Sequence, residues 1–188
     1  MRIQYVTNPP ETSSKEEADI LSRVQARRGP RGLIPLDRAL LHSFPIADGW
    51  NSFFGAIRTQ TSLSGVIREL IMCRVAVINQ AWFEWDHHSP LLKEAGFSDE
   101  ALNVVKDRDA HMTLDDKVER GIFTPQQAAV LKYTDSMTKT VLVPDEVFQQ
   151  VKEYFNEKEV VEITATVAGY NCVSRFLVAL DVGEKNEH

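Results

Sequence analysis

The amino-acid sequence predicts an all-α fold of about eight to ten helices, many of them short. Three observations carry that expectation. Apolar side chains recur three and four positions apart along most of the chain, as one face of a helix requires. Helix starts and stops punctuate those stretches, with Ser, Thr or Pro before them and Gly or Pro after them. No segment alternates apolar and polar residues with the turn spacing of a sheet.

Taken in order, Met1 to Thr12 reads as extended and loosely tied, since Pro9 and Pro10 stop any helix. Ser13 or Ser14 then caps a helix through Arg28, acidic in its first turn and basic in its last, which matches the helix dipole. Gly29-Pro30-Arg31-Gly32 ends it. A short helix follows from Leu36 to His42, stopped by Ser43-Phe44-Pro45. The next starts at Asp48 or Asn51 and runs to about Gln60, with Trp50, Phe53, Phe54 and Ile57 at helical spacing. Ser62 or Ser64 caps the central stretch. As one helix it would reach Glu94, which is long for a compact domain, so Asn79-Gln80 is read as a break with a second helix from Ala81. Pro90 fits there only as a kink or a new first turn. Gly96 stops this helix, and Ser98-Asp99-Glu100 opens another to about Asp107. Asp115 to Arg120 is a short acidic-basic helix before Gly121. Thr124-Pro125 starts a helix to about Thr140, with Ala128, Val130, Leu131, Tyr133 and Met137 as its apolar stripe. Pro144-Asp145-Glu146 starts one to about Tyr154. The last runs from about Glu157 to Leu180, and Asp181 to His188 is a polar tail expected to fray.

Composition narrows the function. The 188 residues, 43% apolar, fit one globular domain. Net charge is −6, from 21 basic and 27 acidic side chains, and no basic run is present, so nucleic acid is not an expected partner. No apolar run approaches the roughly 20 residues that span a bilayer, and the N-terminal stretch lacks an apolar signal core. Both point to a cytoplasmic protein without membrane contact. Cys73 and Cys172 form no CxxC and read as buried free thiols.

The chemistry concentrates between Arg68 and Gly96. Ala81, Glu84 and His88 share one narrow helical face, so Glu84 and His88 are placed to share a proton. Trp82, Phe83 and Trp85 supply aromatic bulk that excludes water and moves neighbouring pKa values toward neutrality. Glu69 stands beside Arg68 as a surface ion pair or a second acid. His87 reads as a packing or substrate-contacting residue, and His42 and His111 as structural or surface residues. Glu84-x-x-His87 has the spacing found in di-iron bundles, but no second such pair occurs and HExxH is absent, so neither metal nor cofactor is expected. There is no glycine-rich phosphate loop and no marked nucleophile elbow.

At these residues the sequence resembles the carboxymuconolactone decarboxylase family, within the superfamily that contains the AhpD alkylhydroperoxidases. The resemblance lies in Arg68-Glu69-Leu70, Val75-Ala76-Val77-Ile78-Asn79, Trp82-Phe83-Glu84-Trp85-x-x-His88 and Glu94-Ala95-Gly96-Phe97-Ser98-Asp99-Glu100. Pro45-x-x-x-Gly49-Trp50-x-x-Phe53 also fits. It covers about residues 36–107 closely, as the core of one AhpD-like domain over residues 1–188 with polar tails at 1–12 and 181–188. The peroxidase branch carries two cysteines where this chain has Ala81 and Glu84, so the resemblance implies no thiol peroxidase activity.

The decarboxylase branch shows Glu-Trp-x-x-His without a thiol pair. It implies a cofactor-free lyase, a homo-oligomer (trimer or hexamer), and His88, Glu84 and Glu69 as catalytic groups. His88 would act as general acid/base, Glu84 would orient it or share its proton, and Glu69 would be the second acid. Arg68 would anchor a substrate carboxylate, with His87, Trp85 and Trp50 as further substrate contacts. A related cofactor-free isomerase, dehydratase or cyclase would use the same acid/base pair on a bulkier substrate. A non-catalytic oligomeric binding protein is the third expectation. Self-association through the apolar faces of the central and C-terminal helices is expected, because so many short helices leave stripes uncovered.

Overall fold

Chain order, caps and apolar periodicity produce ten α-helices in the computed structural model, which describes residues 1–110 and 114–186. They are α1 (Lys15–Arg28), α2 (Pro35–Leu40), α3 (Phe44–Thr59), α4 (Gly65–Ile78), α5 (Trp82–Glu94), α6 (Asp99–Lys106), α7 (Leu114–Glu119), α8 (Pro125–Lys139), α9 (Asp145–Tyr154) and α10 (Glu157–Leu180). No strand occurs among the described residues. His111 lies outside them.

The caps explain where the elements begin. The side chains of Ser14, Ser64, Ser98, Thr124 and Asn156 each accept a hydrogen bond from a backbone N–H of the first turn they precede. Thr124 and Asn156 complete capping boxes with Gln127 and Glu159. α3 begins earlier than the apolar spacing suggests, at Phe44, because Pro45 sits in its first turn, where a missing N–H is harmless.

Helix α4 is the axis. Every residue from Leu70 to Ile78 is buried, which is why it is apolar all round instead of on one stripe. It packs against α5, α8 and α10. On one side Ile67, Ile71, Met72 and Val75 enter the larger core with Phe54, Val130 and Ile163. On the other, Leu70 and Cys73 meet Leu92, Phe97, Val105 and Leu131. Each such side chain contributes about 1.5–3 kcal/mol on burial, so truncating Leu70 to alanine would cost about 2–5 kcal/mol. Arg74 is the exception in this helix. It is buried, and its guanidinium donates to Asp135 and to the carbonyls of Val105, Asp107 and Arg108.

The break expected at Asn79-Gln80 is present. Gln80 adopts a left-handed φ of 56°, and Ala81 N–H donates back to Ala76 O at 2.8 Å. α5 therefore returns along α4. Pro90 lies inside α5, so it does not mark a new first turn. Its ring is on the exposed face, so the Asp86 carbonyl deprived of a partner can face water.

Four further expectations are corrected. The segment before α1 is extended but tied down: Arg2 N–H donates to Leu180 O at 2.8 Å, and Tyr5 and Val6 pack on the core. Residues 181–186 do not fray, since Val182 is buried and Gly183 N–H donates to the Tyr5 hydroxyl at 2.8 Å. Cys172 is exposed, because its position on α10 faces away from α4, while Cys73 is buried as read. Finally, α10 is long and apolar enough by composition to cross a bilayer, although 44% of its most apolar window is buried inside the chain. Ile163, Val167, Tyr170 and Leu177 give it the role of a core helix packed on α4 and α8.

Candidate active site

The antiparallel pairing of α4 and α5 brings together groups far apart in sequence. Glu69 on α4 and His88 on α5 meet, with His88 Nδ1 at 2.6 Å from Glu69 Oε2. The carboxylate accepts, so Nδ1 carries the proton and the Nε2 lone pair is free to act as a base. This differs from the spacing-based reading, in which Glu84 orients His88. The two do share a face of α5, but Glu84 turns to α10 instead.

Glu84 is 2% exposed and its carboxyl meets the Ser174 hydroxyl at 3.1 Å through Oε2. Ser174 Oγ also lies 2.7 Å from the Tyr170 carbonyl oxygen. A hydroxyl has one proton, and a carbonyl can only accept. The shorter contact takes most of the serine proton, so Ser174 offers the Glu84 carboxylate only a weak hydrogen bond. Burial therefore prevails, holding the Glu84 carboxyl well above the ordinary carboxylate range despite Ser174. Its other oxygen, Oε1, has no partner.

His88 moves the opposite way. Burial pushes its imidazole below the usual histidine value, and the hydrogen bond and charge of Glu69 only partly oppose that. The site thus pairs a carboxyl that burial biases toward its protonated form with an imidazole biased toward its neutral form. Tyr170 stands edge-on to the His88 ring, with centroids 5.2 Å apart, and its phenol is raised by burial.

These groups line a cavity of about 70 Å³ between α1, α2, α3, α5 and α10. Glu84, His87 and His88 come from α5, Tyr170 and Val173 from α10, and Trp50, Phe54 and Arg58 from successive turns of α3. Ile34 and Leu36 close an apolar wall, and Arg27 and Arg28 arrive from the end of α1. His87 donates from Nδ1 to Phe83 O at 2.7 Å and stacks on the Phe83 ring.

Two expected contacts are not brought to the cavity. Arg68 donates to Leu63 O at 2.6 Å and is not part of the lining. Trp85 faces the smaller core, with Lys106 over its ring at 5.7 Å. Glu69 lies behind His88 instead of lining the cavity. Sequence reasoning missed Arg27, Arg58, Tyr170 and Ser174. Arg58 had a signal, since Trp50, Phe54 and Arg58 fall four apart on one face. The α1 arginines had none, because only tertiary packing brings α1 here.

No group of three or more His, Cys, Asp or Glu side chains suited to a metal occurs among the described residues. Cys73 is fully buried, and burial pushes its thiol well above the usual value, which leaves it unreactive.

Comparison with known proteins agrees with this arrangement. Residues 45–115 match the carboxymuconolactone decarboxylase family. An AhpD-core protein from Ralstonia eutropha JMP134 shares the fold with a TM-score of 0.71 over 96% of this chain and 93% of its own, at 16% identity. Over those residues the chain is similar to the carboxymuconolactone decarboxylase family, and its fold is that of AhpD-like proteins. YdfG of Bacillus subtilis is 24% identical over 123 residues, 64% of this chain and 78% of that protein. The debrominase Bmp8, in a cysteine-to-alanine form with 2,3,4-tribromopyrrole, shares the fold with a TM-score of 0.68 at 14% identity, over 95% and 92% of the two chains. The superfamily match covers α3 to the start of α7, so α1 with its arginines and α10 with Ser174 lie beyond the matched residues.

Proposed function

We propose that this protein is a cofactor-free acid–base enzyme, a carboxymuconolactone decarboxylase-like lyase acting on a small lactone or carboxylate substrate. One observation carries the reading: a buried carboxyl, Glu84, and a buried imidazole, His88, line the same cavity, and burial biases both toward their uncharged forms.

In the forward step the substrate carboxylate leaves as carbon dioxide. The electron pair of the broken bond passes into a dienolate-type intermediate. Glu84 delivers its proton to the carbon and becomes a carboxylate, which solvent reprotonates. His88 Nε2 is the base for any proton removed on the way to the rearranged double bond, with Glu69 stabilising the imidazolium. Trp50, Phe54 and Leu36 keep water out, which favours charge dispersal as carbon dioxide departs.

The test is carbon dioxide release from 4-carboxymuconolactone by metal-stripped protein, beside His88→Ala and Glu84→Gln. Each variant should lose about 10²–10⁴-fold in turnover. The pH–rate profile of the parent should be bell-shaped. Its acid limb, from His88, should lie below the ordinary histidine value, and its alkaline limb, from Glu84, above the ordinary carboxylate value. Turnover that survives both changes would sink the choice of residues. A parent with no turnover would move the reading to an isomerase, dehydratase or cyclase, or to a binding protein.

A homo-oligomer and a cytoplasmic setting belong to the same reading. α4 is covered within the chain and offers no surface for assembly, but Ile46, Phe53 and Val161 stay exposed on α3 and α10. Light scattering that finds a monomer at micromolar concentration would remove the oligomer.

A further inference from the structure

We propose that Arg27 and Arg58 form a carboxylate-binding subsite in the cavity wall, and that the molecule handled there is a small organic monoanion with an apolar body. The proposal rests on the acid–base reading for what happens to the bound molecule, but the subsite stands on its own geometry.

Three guanidinium groups line the cavity, and one carboxylate answers them. Asp37 is taken by Arg28, whose Nε and Nη2 each donate to it at 2.7 Å, and it accepts Ile34 N–H as well. Arg27 reaches Asp37 only at 3.8 Å, and its buried Nε has no hydrogen-bond partner. Arg58 is in no ion pair among the described residues, and its contact is with the neutral Tyr170 phenol. Burial disfavours a negative charge on Glu84, and Glu69 is engaged by His88.

Two cations thus share a poorly solvated wall whose one counter-ion, Asp37, is already held by Arg28 and lies 3.8 Å from Arg27. Burial and the like charges of Arg28 and Arg58 disfavour the charged form of Arg27. Such an arrangement is stable only marginally until an anion completes it. A guanidinium fork matches the two oxygens of a carboxylate. Ile34, Leu36, Trp50 and Phe54 opposite suit an apolar body, and a cavity of about 70 Å³ suits a small one. Arg68, read from sequence as the anchor, is replaced in that role.

The experiment is calorimetric titration of the full chain with acetate, and with acetamide as a neutral molecule of nearly the same shape. Acetate should bind the parent, and acetamide should give no measurable heat. Arg27→Gln and Arg58→Gln should each weaken acetate binding at least tenfold. Without acetate, Arg27→Gln should melt no lower than the parent, because it relieves the crowding of like charges beside Arg28 and Arg58 and leaves the Arg28–Asp37 pair in place. Saturating acetate should raise the parent's melting temperature and not that of the variant. No heat from acetate, or binding unchanged in both variants, would overturn the subsite. Glu84→Gln separates the two claims: it should keep acetate binding while losing turnover. Arginine-dependent binding in a parent without turnover would discard the decarboxylase reading alone.

Discussion

Two buried polar centres flank α4, and they are built on opposite principles. At one, Arg74 uses all five of its guanidinium N–H groups: two on Asp135 and the others on the carbonyls of Val105, Asp107 and Arg108. Lys139 adds a further contact to Asp135 at 3.2 Å. At the other, Arg27 Nε and Glu84 Oε1 are buried with nothing to bond. The first centre has no capacity left for a ligand and ties α4 to α6 and α8. The second has unused donors, an unused acceptor and space beside them. Complete satisfaction leaves no room for a ligand, and a deficit beside open space marks a candidate binding site.

The sharpest way to break this contrast is to remove one partner from each centre. Arg74→Met leaves Asp135 buried without its main counter-charge and should destabilise the fold by about 3–5 kcal/mol in urea titration. A loss under about 1 kcal/mol would mean that the satisfied centre is not structural after all. Ser174→Ala removes the hydroxyl that donates to Glu84 and should cost about 1–3 kcal/mol, with the alkaline limb of the pH–rate profile displaced upward. A variant with an unmoved limb would detach Ser174 from Glu84.

The smallest effect is a slope. Because Glu84 is raised in the folded state, that state binds more protons than the unfolded chain above the ordinary carboxylate range. Stability therefore falls as pH rises through this window, by at most about 1.4 kcal/mol per pH unit. Glu84→Gln should flatten that part of the curve when denaturant midpoints are compared across it. An unchanged slope would assign the titration to another group.

Much of the frame was legible because it is local. A Ser or Thr before an apolar run caps a helix wherever it stands, so Ser14, Ser98 and Thr124 could be read directly. The turn at Gln80 was visible as an interruption in an otherwise excessive helical length. Pro90 misled because a proline is tolerable when the orphaned carbonyl faces solvent, and exposure is a tertiary property. The site was half legible for the same reason. Helical spacing put Glu84 and His88 on one face but said nothing about which neighbour each would choose. α4 captured the histidine and α10 the carboxyl. Arg27 stayed hidden because no periodicity links α1 to α5.

The tight corner at Gln80 has a consequence beyond joining two helices. It works as a phase setting, like the keyway of a shaft. One residue inserted in the first turn of α5 would rotate His88 by about 100° and advance it about 1.5 Å, out of line with Glu69. Four inserted residues would nearly restore the angle but would slide the imidazole about 6 Å along the axis. Neither length leaves the pair intact, so the spacing between Glu69 and His88 tolerates neither insertion nor deletion, whatever residues fill it.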